Sequence, residues 1–225
     1  MRRIWSGLAV TATLTLTVTG CATEIAGVAV PDPRQPGVAL TSDGYGIVTG
    51  FADAPVQLEL YTEPQCSHCA DLQAAFGEDL KAAITTGQLA VTYRPLTFLD
   101  DEYLTDYSAV ASNTLFLAVD PATDAGTFQT YVEDLWANQD LSLFDFVDQD
   151  FADIAADSGL SDDIVSRIAD GDPGVDTTEL LEVNFAALAQ ASPESLGTPV
   201  VYDLTQKEPV DITDDNWLAD LLGSS

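Results

Sequence analysis

Cations are scarce in this 225-residue chain, where seven Lys and Arg face 37 Asp and Glu for a formal net charge of −30. So acidic a chain does not neutralise a phosphate backbone, and nucleic-acid binding is excluded. Histidine occurs once, as His68, which rules out any two-histidine metal site. Three cysteines are too few for a disulfide-stapled scaffold, and their number is odd. Beyond the initiator Met1 there is no methionine. What is present is 46% hydrophobic, with a mean hydropathy of +0.10, enough for one sizeable domain.

Arg2 and Arg3 precede the uncharged stretch Ile4–Thr19. A basic segment followed by an apolar one reads as an export signal, too short for a spanning helix of about 20 apolar residues. It ends in Val18-Thr19-Gly20-Cys21, which resembles a bacterial lipobox. That resemblance implies removal of residues 1–20 as a lipoprotein signal peptide and lipidation of Cys21. The chain would then sit in the cell envelope, anchored on the extracytoplasmic face of the membrane by two acyl chains. An ordinary signal peptide with a chance cysteine is the alternative. Loss of Arg2 and Arg3 leaves the mature chain two charges more negative. Only Cys66 and Cys69 then remain for chemistry, in a disulfide-permissive compartment.

Residues 21–43 carry three prolines and no periodicity, and they read as a tether to a domain beginning near Gly44. Gly44–Gly50 suits a short strand, and the alternating Val56–Tyr61 a second. Cys69, Leu72, Phe76 and Leu80 recur at helical spacing, with Gly87 as the closing cap and Gly77 as a position for a kink. Another strand, Leu89–Tyr93, completes a β-α-β unit, which implies a parallel pair. Residues 100–195 then show about five helical stripes and no strand pattern: Tyr107–Val119, the set Phe128, Tyr131, Val132, Leu135 and Trp136, a stripe through Phe144, Val147, Phe151 and Ile154, a short one behind Ser161, and Leu181, Phe185 and Leu188. Strand character returns at Thr198–Tyr202 and near Val210, before a last helix with Trp217, Leu218, Leu221 and Leu222 capped by Asp214. The fold class is α/β: residues 44–99 and 196–225 make one domain, interrupted by a helical insertion over 100–195.

The chemistry concentrates in Cys66-Ser67-His68-Cys69. With C-x-x-C at a strand-to-helix junction, one helical turn brings the two sulfurs within disulfide reach. The first sulfur lies at the helix N-terminus, where free N–H groups and the dipole stabilise a thiolate. Cys66 is therefore the exposed nucleophile that forms the mixed disulfide, and Cys69, on the buried stripe, resolves it. His68 can add a charged or hydrogen-bonding partner to the thiolate. A stabilised thiolate favours the reduced form and makes the disulfide a stronger oxidant. Structural zinc needs two further ligands that the sequence lacks, so no metal or other cofactor is expected.

Three stretches together, Leu60-Tyr61-Thr62-Glu63-Pro64-Gln65-Cys66-Ser67-His68-Cys69, Tyr93-Arg94-Pro95-Leu96 and Gly197-Thr198-Pro199-Val200, resemble the DsbA-like branch of the thioredoxin superfamily, with the helical insertion in that branch's place. The resemblance implies a thioredoxin-like fold and a thiol–disulfide oxidoreductase acting on exported cysteine-containing proteins. It also implies a membrane partner that re-oxidises the Cys66–Cys69 disulfide. A cis bond at Thr198–Pro199 beside the sulfurs, presenting backbone to a substrate peptide, is implied as well. Two departures stand out. Ser67 replaces the proline frequent after the first cysteine, and Leu60 stands where many members bury a proton-relay carboxylate. Glu63 and Glu59 are the remaining candidates for that relay, although Glu59 should point to the other face of its strand.

A disulfide reductase or isomerase using the same site is the nearest competing function. A Cu(I)-binding module built on the two thiolates and His68 is the alternative of another class. The acidic runs Asp100-Asp101-Glu102, Asp162-Asp163 and Asp214-Asp215 lack calcium-loop spacing and read as solvated surface and helix N-termini.

Overall fold

The computed structural model describes residues 35–139 and 146–223. The expected signal peptide, the expected lipidation site Cys21 and Phe144 lie outside the described residues.

Six strands form one mixed sheet: β1 (Gly37–Leu40), β2 (Ile47–Gly50), β3 (Val56–Thr62), β4 (Leu89–Pro95), β5 (Val200–Asp203) and β6 (Glu208–Pro209), in the order β1-β2-β4-β3-β5-β6. Only β3 and β4 are parallel, with Leu60 opposite Tyr93 and Tyr61 opposite Arg94. The parallel pair needs a crossover, and α1 (Ser67–Thr85) supplies it. Thr86 and Gly87, the latter at φ +77°, turn the chain out of that helix.

One expectation is corrected at the domain's start. Residues 37–40, assigned to the tether, form β1 and pair with β2 in the register Gly37–Gly50 to Leu40–Ile47. Four residues with a half-exposed pattern at a sheet edge leave no alternation to read, and the partner strand supplies the order. The Ala125 N–H also donates to the Pro36 carbonyl at 3.0 Å, which fastens this edge to a helix of the insertion.

Between β4 and β5 lie α2 (Phe98–Tyr103), α3 (Tyr107–Leu117), α4 (Ala125–Ala137), α5 (Asp148–Asp157), α6 (Asp162–Ala169) and α7 (Thr177–Ala191), and α8 (Trp217–Gly223) ends the described chain. The α4 stripe Phe128, Tyr131, Val132, Leu135 and Trp136 is buried, and each such large apolar side chain contributes about 1.5–3 kcal/mol by leaving water. That stripe belongs to the same core as Leu72 and Leu80 of α1 and Leu58 and Leu60 of β3. Alternation then places Tyr61 on the opposite face of the sheet, in a smaller core with Leu96 and with Leu188 and Phe185 of α7. The sheet is thus covered on both sides.

Gly77 does not kink α1, which runs unbroken from Ser67 to Thr85. Its role is contact. A Cβ there would lie 2.6 Å from Glu133 Cγ of α4, so the missing side chain lets the two helices pack.

Candidate active site

Strand β3 delivers the chain to the site through a wholly buried exit, Tyr61 to Gln65. The Leu96 N–H holds the Thr62 carbonyl at 2.8 Å, and the Cys66 N–H closes the turn onto the Glu63 carbonyl at 3.0 Å. Helix α1 starts immediately afterwards, with Cys66 as its N-cap residue at φ −80° and ψ 115°. No acidic side chain occupies the first turn, although the chain has 37 of them. The unpaired amides at this helix end are therefore left to the Cys66 sulfur.

The half-buried Cys66 Sγ accepts from the Cys69 thiol, the Thr198 hydroxyl and the N–H groups of Cys69 and His68. The Cys69 thiol is the largest of these contributions. Together they outweigh burial and bring the Cys66 thiol down to about 5. In its protonated form Cys66 Sγ donates to the Thr198 carbonyl at 3.3 Å, so Thr198 faces both states of the sulfur. The Thr198–Pro199 bond is cis. Cys69 is only 1% exposed. Burial, then the neighbouring Cys66 sulfur, push its thiol well above the ordinary value, and bonds from Thr62 and the Glu63 N–H offset this only in part. Both cysteines are free thiols in this state. One sulfur is poised as a thiolate and the other holds its proton, which is the division of labour that exchange requires.

His68 enters differently from the expectation. Its ring is 80% exposed with Nδ1 3.6 Å from Asp71 Oδ2, and among the described residues no bond joins the ring to Cys66. Helical geometry turns the second residue of the turn outward, and His68 serves the sulfur through its main-chain N–H.

The two carboxylates part company. Glu63 is fully buried, with its N–H on the Cys69 sulfur and its carboxyl within reach of the Cys66 charge. Its Oε2 accepts the Gln65 N–H at 2.6 Å, and its Oε1 accepts the Ser108 hydroxyl of α3. Burial pushes its carboxyl up to about 8 against the pull of those two bonds, with Asp100 and Cys66 adding repulsion. Glu59 lies on the α7 side of the sheet, where its Oε1 accepts Arg94 Nε at 2.8 Å and its Oε2 the Tyr61 hydroxyl at 2.7 Å. The structure brings Glu63 to the cysteines and leaves Glu59 in an ion pair away from them.

Four further residues complete the surroundings, and the sequence reading passed over all of them in this role. Gln65 Nε2 donates to Asp100 Oδ1 at 2.7 Å and to Ser108 Oγ at 2.8 Å. Asp100 also accepts the N–H groups of Ser108 and Ala109 at 2.9 and 2.8 Å, capping α3 from α2. Gln139 Nε2 donates to the Pro64 carbonyl at 2.5 Å. A hydroxyl near the start of a helix is the one local signal in this set, and it points to capping rather than to Glu63. No group of three or more His, Cys, Asp and Glu that could hold a metal ion occurs among the described residues. No helix among them is long and apolar enough to cross a membrane.

A sequence model of the thioredoxin family matches residues 42–171. The chain belongs to the thioredoxin family. Its fold, with the helices inserted between β4 and β5, is the one DsbA-type structures share. It is similar to the MdbA thiol-disulfide oxidoreductase of Corynebacterium diphtheriae, at 26% identity and a TM-score of 0.68 over 85% of this chain and 95% of that one. The reduced DsbA of Mycobacterium tuberculosis shares the fold at 16% identity and a TM-score of 0.58, over 87% of this chain and 89% of that one. A further relative is the serine/threonine-protein kinase PknE of Mycobacterium tuberculosis, 28% identical over 182 residues. That match takes in 79% of this chain but only 31% of the kinase, so the chain spans about a third of the length of its curated relatives.

Proposed function

We propose that this family member is a lipid-anchored thiol–disulfide oxidoreductase of the cell envelope that oxidises cysteine pairs of exported proteins. The observation that carries the reading is the asymmetry of the two sulfurs, with Cys66 at about 5 and Cys69 raised. In the oxidised protein a substrate thiolate attacks Cys66 Sγ. The Cys66–Cys69 bond breaks, its electron pair goes to Cys69, and Cys69 takes up a proton. A second substrate thiolate then attacks the substrate sulfur of the mixed disulfide and expels Cys66 as a thiolate. The substrate leaves as a disulfide and the protein as a dithiol carrying two electrons, which family analogy passes to a membrane re-oxidase. Thr198 and Pro199 line the face on which the substrate chain lies, and Glu63 is the group that exchanges a proton with Cys69.

Equilibration of the full chain with glutathione tests the direction. Stabilisation of Cys66 as a thiolate favours the dithiol, so the pair should be more oxidising than thioredoxin's value of about −270 mV. A potential at or below that value would assign the chain to reduction instead, and efficient rescue of a scrambled-disulfide protein would favour an isomerase. The anchor is tested separately. Cys21→Ala should move the protein from the membrane fraction to the soluble one and abolish fatty-acid labelling, and unchanged labelling would refute the lipobox reading.

A further inference from the structure

Resting on the oxidoreductase reading above, we propose that Ser108 of α3 is a positioning residue of the redox site, its hydroxyl holding the Glu63 carboxyl ready to exchange a proton with Cys69. The helical insertion then supplies a working part of the site and not only a cover.

Ser108 is fully buried, and 45 residues of chain separate it from Glu63. Its hydroxyl has one proton to give, and the surrounding bonds decide where that proton goes. Gln65 Nε2 donates to Ser108 Oγ at 2.8 Å, so the serine's own proton is directed at Glu63 Oε1. Gln65 cannot turn to release it. Its Nε2 is also bound to Asp100 Oδ1 at 2.7 Å, and its Oε1 accepts the Thr105 hydroxyl at 3.3 Å. The other oxygen of Glu63 takes the Gln65 N–H at 2.6 Å. Both oxygens are thus fixed, one by the strand exit and one by the insertion.

The titratable groups that act on the Glu63 carboxyl are Asp100 from α2 and Cys66 capping α1, while Cys69 within α1 meets the Glu63 N–H and α3 faces the carboxyl with Ser108. Asp100 and Cys66 both favour the protonated carboxyl. No ion pair of the described residues involves Glu63. The Ser108 bond is the larger of the two that favour the ionised form, so it works against burial and keeps Glu63 able to release its proton near neutrality. When the Cys66–Cys69 bond opens, the proton moves from Glu63 to the Cys69 thiolate, and the carboxylate regains a proton from solvent. Without Ser108 the carboxyl binds its proton more tightly and becomes a weaker acid.

The test is Ser108→Ala in the full chain, read in two ways. The Glu63 carboxyl is titrated by carbon NMR in the reduced protein. The rate of dithiol-peptide oxidation, expressed per substrate thiolate, is followed against pH. The expected result is an upward shift of both midpoints by about one pH unit, tenfold in proton affinity, with Ser108→Thr restoring them. In a Glu63→Gln background the alkaline inflection should be absent and Ser108→Ala should no longer move the profile. Midpoints that stay in place while thermal stability falls would show a merely structural hydroxyl and overturn the inference. A wild type whose Glu63 titrates near 8 but which never exchanges with the dithiol would overturn the oxidoreductase reading itself.

Discussion

Replacing Cys69 with alanine is expected to abolish catalytic oxidation of dithiols and to raise the pH at which Cys66 ionises. The first effect is chemical. Cys69 is the electron-pair acceptor when the disulfide opens, and without it no intramolecular disulfide can re-form, so turnover falls by on the order of 10³-fold or more. The second is electrostatic. The Cys69 thiol is the largest favourable contact of the Cys66 sulfur, and its loss leaves the Thr198 hydroxyl and the helix amides. Those remaining donors should keep Cys66 below the ordinary cysteine value of about 8.5. The midpoint of alkylation by iodoacetamide should therefore lie above the wild-type position near 5 and below that of a free thiol. A midpoint identical in the two proteins would mean that the helix end alone activates Cys66.

A comparable loss is expected in stability from Arg94→Met, on the other side of the sheet. Arg94 is 8% exposed and donates to Glu59 at 2.8 Å, to Asp43 at 2.8 Å and to Asn184 Oδ1 at 3.2 Å. Removing the guanidinium strands the Glu59 carboxylate, itself only 14% exposed, beside the Tyr61 hydroxyl. Breaking a buried pair from one side costs about 3–5 kcal/mol, because one charge stays buried without its partner. For a domain of this size that corresponds to a fall in Tm of about 6–20 °C. The partner change Glu59→Leu in the Arg94→Met background should recover most of the loss, since an apolar pair of similar volume removes the stranded charge. Thermal unfolding of the wild type and the two variants checks this, and a double variant no more stable than Arg94→Met would show that the carboxylate was not the source. The redox chemistry should survive in both, because Glu59 does not approach the sulfurs.

What the sequence made legible was what is local. C-x-x-C after an alternating strand, the α1 and α4 stripes, and the return of strand character before the last helix are patterns within one or two turns of chain. The structure carries each of them. The partners of Glu63 are of another kind. Ser108 and Asp100 reach the strand exit only because α2 and α3 fold back onto it, and no spacing rule joins positions 35 to 45 residues apart. Asn184 is a similar case. In the middle of α7 an asparagine reads as a weak helix former, yet it is fully buried, donating to the carbonyls of Tyr45 and Pro95 at 2.9 and 2.8 Å. Strand β1 escaped notice because edge pairing needs only main-chain groups, which every residue has. The outward turn of the His68 ring was open to prediction from helical phase, but composition drew attention to the only histidine instead.

The acid-free first turn of α1 sets a limit on how this surface can change. Elsewhere one exposed carboxylate exchanges for another with little consequence, and the strongly negative composition shows how freely they accumulate. At positions 67, 68 and 70 the same exchange would install a rival anion at the amides that now hold Cys66. That rival would drain the thiolate of its support while leaving both cysteines, the strand and the helix untouched. A homologue with an intact C-x-x-C but an acid in that turn would look like this protein in every motif and hold its thiolate far more weakly.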